Sequence, residues 1–223
     1  MTDDTTVSAR RRATRDRLLE AAAEVFAEEG VQAASVEAVC ARAGFTRGAF
    51  YSNFESKEQL FLELLEQEFA RRAQHLEKQT GEMAPLLPDR EGRLDPPEAA
   101  RYIARFFSPE HGATAWFVLE TEFLLLAMRD PSITLGYHDL TDRFYAGIAG
   151  IVEEVLAAAG RRFTLPAKHA VAILGGEYER ALRFSALRGE GATGVLDELA
   201  TRISEVLFAI TEPLAGEETG QAS

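Results

Sequence analysis

The sequence predicts an all-α protein: an N-terminal domain of three short helices followed by a larger helical domain, about nine helices in all. Apolar residues recur at intervals of three and four along most of the chain, and no stretch alternates as a half-buried strand does. The breaks between periodic segments fall at Gly and Pro. With 223 residues and 46% hydrophobic content, the chain is long enough for two cores.

The N-terminal domain is predicted to begin with a helix from Thr14 to Gly30. Ser35 is the predicted N-cap of a second helix, which Gly44 ends in a left-handed conformation. Thr46 is the predicted cap of a third, very short helix. Two short helices joined by a tight turn are typical of a helix-turn-helix.

The outer face of the third helix is predicted to carry three residues, Arg47, Gly48 and Tyr51, while Phe50 faces inward. An outward Arg, Gly and Tyr on a short helix can approach a DNA major groove closely. Ser56 and Gln59 form a capping box for the next helix, so Lys57 lies in its first turn. The helix dipole favours an acid there, which makes a cation at this position suited to a phosphate.

The run Gly-Phe-Thr-Arg-Gly-Ala-Phe-Tyr-Ser-Asn-Phe-Glu-Ser-Lys-Glu at 44–58 resembles the helix-turn-helix of the tetracycline-repressor (TetR) family, and the likeness covers roughly residues 14–60. The resemblance implies that the second helix of the motif lies in the major groove and that Tyr51 and Lys57 contact phosphates. This chain has Ser52 where a histidine is common in the family. The residues expected at DNA are Arg12, Ser35, Thr46, Arg47, Gly48, Tyr51, Ser52, Asn53 and Lys57, with Arg47 contacting a base.

Residues 1–13 are predicted to form a flexible basic arm that adds phosphate or minor-groove contacts, since Arg10, Arg11 and Arg12 are followed closely by Arg15 and Arg17. A solvated, disordered terminus is the alternative for the first three. The formal net charge is −12, of which residues 1–60 account for only −2. The acidity therefore lies mainly outside the motif, where it would oppose indiscriminate DNA binding.

Residues 14–60 are expected to form the DNA-binding domain, residues 61–212 a helical effector-binding and dimerisation domain, and residues 213–223 a disordered acidic tail. Helices are predicted at about 57–80, 98–107, 112–129, 132–159, 166–188 and 194–211. Residues 81–97, which are rich in Pro, are predicted to form a loop or an interrupted helix.

The last two helices carry matching apolar stripes, which predict half of an intermolecular four-helix bundle. The family resemblance implies the same homodimer contact. Burial of both stripes within one chain is the alternative. The predicted interface residues are Val171, Gly175, Gly176, Leu182, Leu199, Ile203, Val206 and Ile210.

The middle helices carry enough aromatic residues to predict a pocket for an apolar or aromatic effector, although plain core is the alternative for each of them. One of Glu120 and Glu122 is expected to point inward and to pair with an arginine or a ligand amine. The candidate pocket residues are Phe69, Phe106, Trp116, Glu120, Phe123, Phe144 and Tyr178.

These patterns favour a cytoplasmic, homodimeric repressor that binds a palindromic operator in double-stranded DNA and is released by a small-molecule effector. An all-α protein whose helix-turn-helix contacts a protein partner is the alternative. No cofactor, metal site, catalytic constellation or membrane association is expected. Gly189–Gly194 fits a dinucleotide-binding pattern formally but follows no strand, and Cys40 is expected to be a packed core thiol.

Overall fold

A computed structural model describes residues 3–83, 99–103, 112–188 and 193–214. The predicted all-α fold is confirmed. Among the described residues, no helix is both long enough and apolar enough to cross a membrane. The helices are α1 (Asp3–Glu29), α2 (Val36–Ala43), α3 (Arg47–Tyr51), α4 (Lys57–Met83), α5 (residues 99–103), α6 (Ala113–Ala127), α7 (Pro131–Ala158), α8 (Ala167–Arg188) and α9 (Thr193–Ala209).

The first helix starts earlier than the sequence predicts. It begins at Asp3 rather than at Thr14, so residues 3–13 are helical. Thr14 does not cap the helix, because its hydroxyl donates a hydrogen bond of 3.0 Å to the Arg10 carbonyl one turn earlier. No Gly or Pro interrupts residues 3–29, and the Ala and Arg of this segment favour helix, so nothing stops the helix from extending.

A small two-stranded ribbon departs from the expectation that the chain contains no strand. The strands β1 (Arg161–Phe163) and β2 (Thr211–Pro213) pair antiparallel, with Arg162 opposite Glu212. Arg161 donates hydrogen bonds to the hydroxyl and the carbonyl of Thr211, at 2.9 and 3.0 Å. Strands of three residues are too short to show alternation, which is why the sequence pattern missed them. Pro213, predicted to open the disordered tail, belongs to this ribbon.

The described residues divide into two compact units. The first contains the chain up to Arg71 together with Thr114–Thr141, and the second contains the described residues from Arg72 to Ala113 and from Asp142 onward. The helix-turn-helix therefore shares its unit with most of α6 and the first part of α7. The sequence-based division after residue 60 stays a prediction, and Gly189–Ala192 and residues 215–223 lie outside the described residues.

An aromatic stack forms the centre of the first unit. Phe61 of α4 packs edge-on against Phe26 of α1, with ring centroids 5.5 Å apart. The other side of the Phe61 ring stacks on Phe123 of α6, with ring centroids 4.7 Å apart. All three rings are at most 1% exposed. Burying a ring of this size contributes about 1.5–3 kcal/mol, so the stack is a major source of cohesion between α1, α4 and α6.

The second unit buries most of the apolar stripes of α8 and α9 within one chain. Val171, Leu182, Leu199 and Ile203 are each at most 5% exposed. Val206 and Ile210 are half-buried and pack on the cluster that contains Leu199 and Ile203. Burial within one chain, the alternative that the sequence left open, therefore accounts for these stripes.

Gly175 lies where α8 closely approaches α7. A Cβ at this position would lie 2.9 Å from Cε1 of Tyr145, whose hydroxyl donates a hydrogen bond of 2.8 Å to Glu179. Gly176 is next to it in sequence, but its Cβ would meet no atom within 4 Å. Of the two glycines predicted at a dimer contact, one is therefore needed for packing inside the chain and the other is exposed.

The substitution Gly175→Ala is expected to lower the free energy of unfolding by about 1–3 kcal/mol, because the added methyl group forces the Tyr145 ring out of its position. Gly147→Ala on α7, where an added Cβ would meet no atom within 4 Å, is the control and is expected to raise it by about 0.5–1 kcal/mol through helix propensity alone. Denaturant unfolding of both variants checks this. Equal stabilisation by both substitutions would show that the Tyr145 ring moves aside without lowering the free energy of unfolding.

Candidate nucleic-acid interface

The helix-turn-helix is capped as the sequence predicts. Ser35 accepts a hydrogen bond of 3.1 Å from the Ala38 N–H at the start of α2. Gly44 ends α2 with φ of +71°, in the left-handed region that glycine tolerates without strain. Thr46 accepts a hydrogen bond of 3.2 Å from the Ala49 N–H at the start of α3. These three local contacts fix where each helix begins and ends.

The outer face of α3 is exposed to solvent. Arg47, Gly48 and Tyr51 are all exposed, and half of the Tyr51 surface is accessible. The Arg47 guanidinium forms an ion pair of 2.7 Å with Glu37 of α2 and lies 5.8 Å from the Tyr51 ring centroid. The pKa of Arg47 is raised above its usual value by a hydrogen bond to Tyr51 and by the charge of Glu37. Arg47 is therefore a permanent cation beside an exposed aromatic ring.

The ion pair of Arg47 with Glu37 does not fix the arginine firmly. Both side chains are more than half exposed, at 62% and 58%. Exposed ion pairs contribute only about 0–1 kcal/mol, because water and salt screen them. Arg47 can therefore exchange Glu37 for a base edge or a phosphate at small cost.

Ser52 and Asn53 use their side-chain donors within α3. The Ser52 hydroxyl donates to the Gly48 carbonyl and the Asn53 amide donates to the Ala49 carbonyl, each at 2.8 Å. Both side chains thereby satisfy carbonyls at the end of a helix that has only five residues. Their predicted contact with DNA stays a prediction, and the structure gives each of them a structural role as well.

Three arginines of α1, which we call the arginine clamp, hold the ends of the two motif helices. Arg11 donates a hydrogen bond of 3.2 Å to the carbonyl of Ser52, and Arg15 one of 2.6 Å to that of Asn53, both just after α3. Arg17 donates one of 2.9 Å to the carbonyl of Ala43 at the end of α2. Carbonyls at a helix C-terminus lack partners within the helix and carry its negative dipole end, so cations stabilise them.

Arg15 makes the most contacts of the clamp. Its guanidinium forms a bidentate ion pair with Glu63 of α4 and lies 4.3 Å from the centroid of the Phe54 ring. Arg17 covers the ring of Phe45 in a similar way, at 4.7 Å. Arg15 therefore joins three parts of the domain: α1, the segment after α3, and the second turn of α4. Sequence reasoning placed these arginines next to a DNA-binding arm and missed this role, because their partners lie 26 to 48 residues away.

Lys57 also has a structural role in the free protein. Its ammonium group donates hydrogen bonds to the carbonyls of Gln32 and Ala34, at 3.1 and 2.8 Å, and its side chain is half-buried. The neighbouring cap is confirmed in part. Gln59 donates its N–H to the Ser56 hydroxyl, but its side chain accepts from the N–H of Glu55 rather than of Ser56. The two bonds of Lys57 leave one of its three ammonium hydrogens for a phosphate.

Arg12 is exposed on α1. It occupies a helix rather than a flexible arm, so its position relative to the motif is fixed by α1. Arg42 on α2 is a further cation near the motif, and it forms ion pairs of 2.8 and 2.7 Å with Glu24 and Glu28 of α1. The Arg42 guanidinium lowers the pKa of Glu28. Outside the clamp, Arg12 and Arg47 stay the predicted DNA contacts, and Arg10 of α1 is exposed as well.

The candidate effector residues divide between the two units. Phe69, Trp116, Glu120 and Phe123 belong to the first, and Phe144 and Tyr178 to the second. Phe106 lies outside the described residues. Phe123 is fully buried in the aromatic stack, which favours the core alternative for it. The effector pocket stays a prediction.

The two candidate glutamates make different contacts. The hydroxyl of Tyr137 lies 3.5 Å from Glu120, and both side chains are half-buried. Glu122 accepts a hydrogen bond of 2.8 Å from the backbone N–H of Val31. Glu122 therefore binds a peptide group of the loop before α2, rather than the arginine or ligand amine that was expected for one of the two glutamates.

The substitution Arg15→Ala is expected to lower the free energy of unfolding by about 1.5–3 kcal/mol, because it leaves the Asn53 carbonyl and Glu63 without their charged donor. Arg12→Ala, which removes an exposed arginine three positions away, is the control and should change it by less than about 0.5 kcal/mol. Thermal and denaturant unfolding measure both. An unchanged Arg15→Ala variant would contradict the clamp.

The helix-turn-helix and the fold have known counterparts. Residues 18–64 match the model of the bacterial regulatory proteins of the tetR family. The transcriptional regulator SrpR of Pseudomonas putida is 42% identical over 64 residues, which are 29% of this chain and 28% of SrpR. The transcriptional repressor KstR2 of Mycolicibacterium smegmatis is 43% identical over 51 residues, which are 23% of this chain and 25% of KstR2. The matched region thus spans less than a third of each of these relatives.

The likeness in structure extends further along the chain. The crystal structure of FadR from Bacillus subtilis, in complex with stearoyl-CoA, has a TM-score of 0.60 at 18% identity and covers 86% of this chain and 96% of that one. GusR of Salmonella enterica has a TM-score of 0.62 at 20% identity, with 88% and 96% covered. At these identities the likeness concerns the fold. The N-terminal part of this chain, residues 18–64, therefore matches the model of the tetR family of bacterial regulatory proteins, and the chain as a whole shares the fold of these solved regulators.

Proposed function

We propose that this protein is a sequence-specific, DNA-binding transcription regulator that acts as a homodimer and represses until a small-molecule effector binds. The observation that carries the proposal is the exposed face of α3, where Arg47, Gly48 and Tyr51 lie side by side on a helix capped at both ends. Gly48 leaves room for close approach, Arg47 supplies a bidentate donor, and Tyr51 supplies an exposed hydroxyl.

The contacts divide by type. Arg47 is proposed to read a guanine, since its planar guanidinium matches the two acceptors that guanine presents in the major groove. Tyr51 and the remaining ammonium hydrogen of Lys57 are proposed to contact phosphates, which position the protein without reading sequence. The arginine clamp holds α3 in place during these contacts, so the reading helix does not have to order itself on binding.

The homodimer is proposed to form through the exposed side of α8. Ile173, Phe184 and Leu187 are 48%, 41% and 78% exposed, unusual for large apolar side chains. With Gly176 and Arg180 they recur at intervals of three and four, which places them on one stripe of the helix. Gly176 meets no atom within 4 Å and would let a second helix approach closely. This stripe replaces the buried residues that the sequence suggested.

A two-fold dimer gives a reason to expect a palindromic site. Two α3 helices related by the dimer axis would enter successive major grooves about one DNA turn apart, roughly 34–36 Å. An effector that favours a different arrangement of the two reading helices would release the operator, provided that it binds one state more tightly than the other. The ligand of FadR, stearoyl-CoA, supports a search among large apolar effectors.

Selection of duplexes from a randomised DNA pool tests the function. The wild type is expected to enrich a two-fold palindrome at about physiological ionic strength, and the double variant Tyr51→Ala, Lys57→Ala to enrich none. Sequencing of the bound fraction is the measurement. No enrichment by the wild type would favour a protein partner for the helix-turn-helix instead.

The variants Arg47→Ala and Lys57→Ala should fail in different ways on the selected duplex. Arg47→Ala is expected to lose about 1–3 kcal/mol of discrimination at one base pair and little affinity for other duplexes. Lys57→Ala is expected to weaken binding to every duplex and to reduce the slope of log K against log salt by about one. Fluorescence anisotropy titrations on matched and mismatched duplexes at several salt concentrations separate the two. An equal loss on all duplexes for Arg47→Ala would rule out its base contact.

The substitution Leu187→Glu is expected to convert the dimer to a monomer, because it places a charge in the proposed apolar interface. Leu135→Glu is the matched control, since Leu135 on α7 is 74% exposed and lies outside that stripe. Sedimentation equilibrium measures both masses. A dimeric Leu187→Glu variant would place the interface elsewhere.

A further inference from the structure

The loop between α1 and α2, residues 30–35, is held at its backbone from one side by a carboxylate of α6. The N–H of Val31 donates a hydrogen bond of 2.8 Å to Oε2 of Glu122, which lies 91 residues further along the chain. Val31 itself is fully buried. A buried backbone N–H requires an acceptor, and after the turn at Gly30 no helical carbonyl supplies one here.

Gly30 shows how closely the carboxylate approaches this loop. Its φ is +83°, a region that side chains rarely adopt, and a Cβ built on it would lie 2.9 Å from Oε2 of Glu122. The position of Glu122 is also well defined, because the next residue, Phe123, is fully buried and stacks on Phe61 of α4. The loop and the carboxylate therefore meet at a packed and specific contact.

A cation of α4 holds the same loop at different atoms. Lys57 donates to the carbonyls of Gln32 and Ala34, one and three residues after Val31. The loop thus presents its N–H to an anion and its carbonyls to a cation within four residues. Each contact matches the charge of its partner to the dipole of a peptide group, so both stabilise the same conformation of the loop.

We propose that Glu122 is a positioning residue for DNA binding. By fixing Val31 it fixes the carbonyls that hold the Lys57 ammonium, and hence where that ammonium can meet a phosphate. This inference rests on the proposed function, and it adds a residue of α6, far from the helix-turn-helix in sequence, to the apparatus that binds DNA. This role depends mainly on the length of the Glu122 side chain, which lets the carboxylate reach the Val31 N–H, and less on its negative charge.

Two substitutions separate reach from charge. Glu122→Asp keeps the charge but shortens the side chain by one methylene group, so it no longer reaches the Val31 N–H. Glu122→Gln loses the charge but keeps a carbonyl acceptor at the same distance. Glu154→Asp is the control, because it makes the same change at an exposed glutamate of α7.

The measurement is the affinity for the duplex that the wild type selects, by anisotropy at several salt concentrations. Glu122→Asp is expected to bind about tenfold more weakly, with a salt slope lowered by about one as the Lys57 contact is lost. Glu122→Gln and Glu154→Asp are expected to stay within about twofold of the wild type with an unchanged slope. If Glu122 only stabilised the fold, the Glu122→Asp variant would have a lower melting temperature, but its folded fraction would bind the duplex with an unchanged salt slope.

A double-mutant cycle tests whether Glu122 acts through Lys57. Added to Lys57→Ala, the Glu122→Asp substitution is expected to cost no further affinity, because the contact that it positions is already absent. Additive losses would overturn the proposal. A loss of affinity for Glu122→Gln would also overturn it, since charge rather than reach would then be responsible. The Gln variant keeps the hydrogen bond, so this arm holds even where the Asp variant does not fold.

The experiments distinguish the positioning role of Glu122 from DNA binding itself. If the wild type selects no duplex, the function is overturned and the positioning role with it. If the wild type selects a duplex and Glu122→Asp binds it with unchanged affinity and slope, only the positioning role is overturned. Hydrogen exchange at the Val31 amide, which should be slow in the wild type and fast in Glu122→Asp, reports the contact itself without DNA.

Discussion

The proposed DNA-binding face depends on how a helix of five residues is kept in place. Such a helix forms too few internal hydrogen bonds to be stable alone, since isolated helices shorter than about 12–15 residues are marginal in water. Here its N-terminus is capped by Thr46, and the carbonyls that follow it are bound by Arg11 and Arg15 of α1. The position of α3 is therefore set by a neighbouring helix and not by its own propensity.

These contacts give the arginines of the domain a different role from the one that the sequence suggests. A cluster of arginines before a helix-turn-helix suggests a surface for phosphates. In this protein Arg11, Arg15 and Arg17 instead neutralise helix ends, and Lys57 binds two loop carbonyls. Few cations of this region are left for the proposed DNA contacts, which is consistent with a formal net charge of −12 and with a proposed binding mode that depends on specific contacts rather than on general attraction.

Features that depend on neighbouring residues were predictable, and features that depend on distant ones were not. The caps at Ser35 and Thr46 follow from side chains that bond within three residues, and the cap at Gly44 follows from the left-handed backbone that glycine tolerates, so the sequence predicts all three in place. The same holds for α6 to α9, whose bounds lie within two residues of the predicted ones. The ribbon of β1 and β2 was missed because its two strands lie 50 residues apart and each is too short to show a pattern.

By itself, the sequence determined the helix-turn-helix, its likeness to the tetR family and the order of the helices, because periodicity, caps and the 44–58 run are local properties of the chain. Only the tertiary structure decided which side of α8 is left exposed, which arginines hold helix ends, and that Glu122 reaches Val31. An apolar stripe shows that a face is buried, but its partner is chosen by packing. The sequence likewise does not show which residue a charged side chain pairs with, because the fold brings the two together.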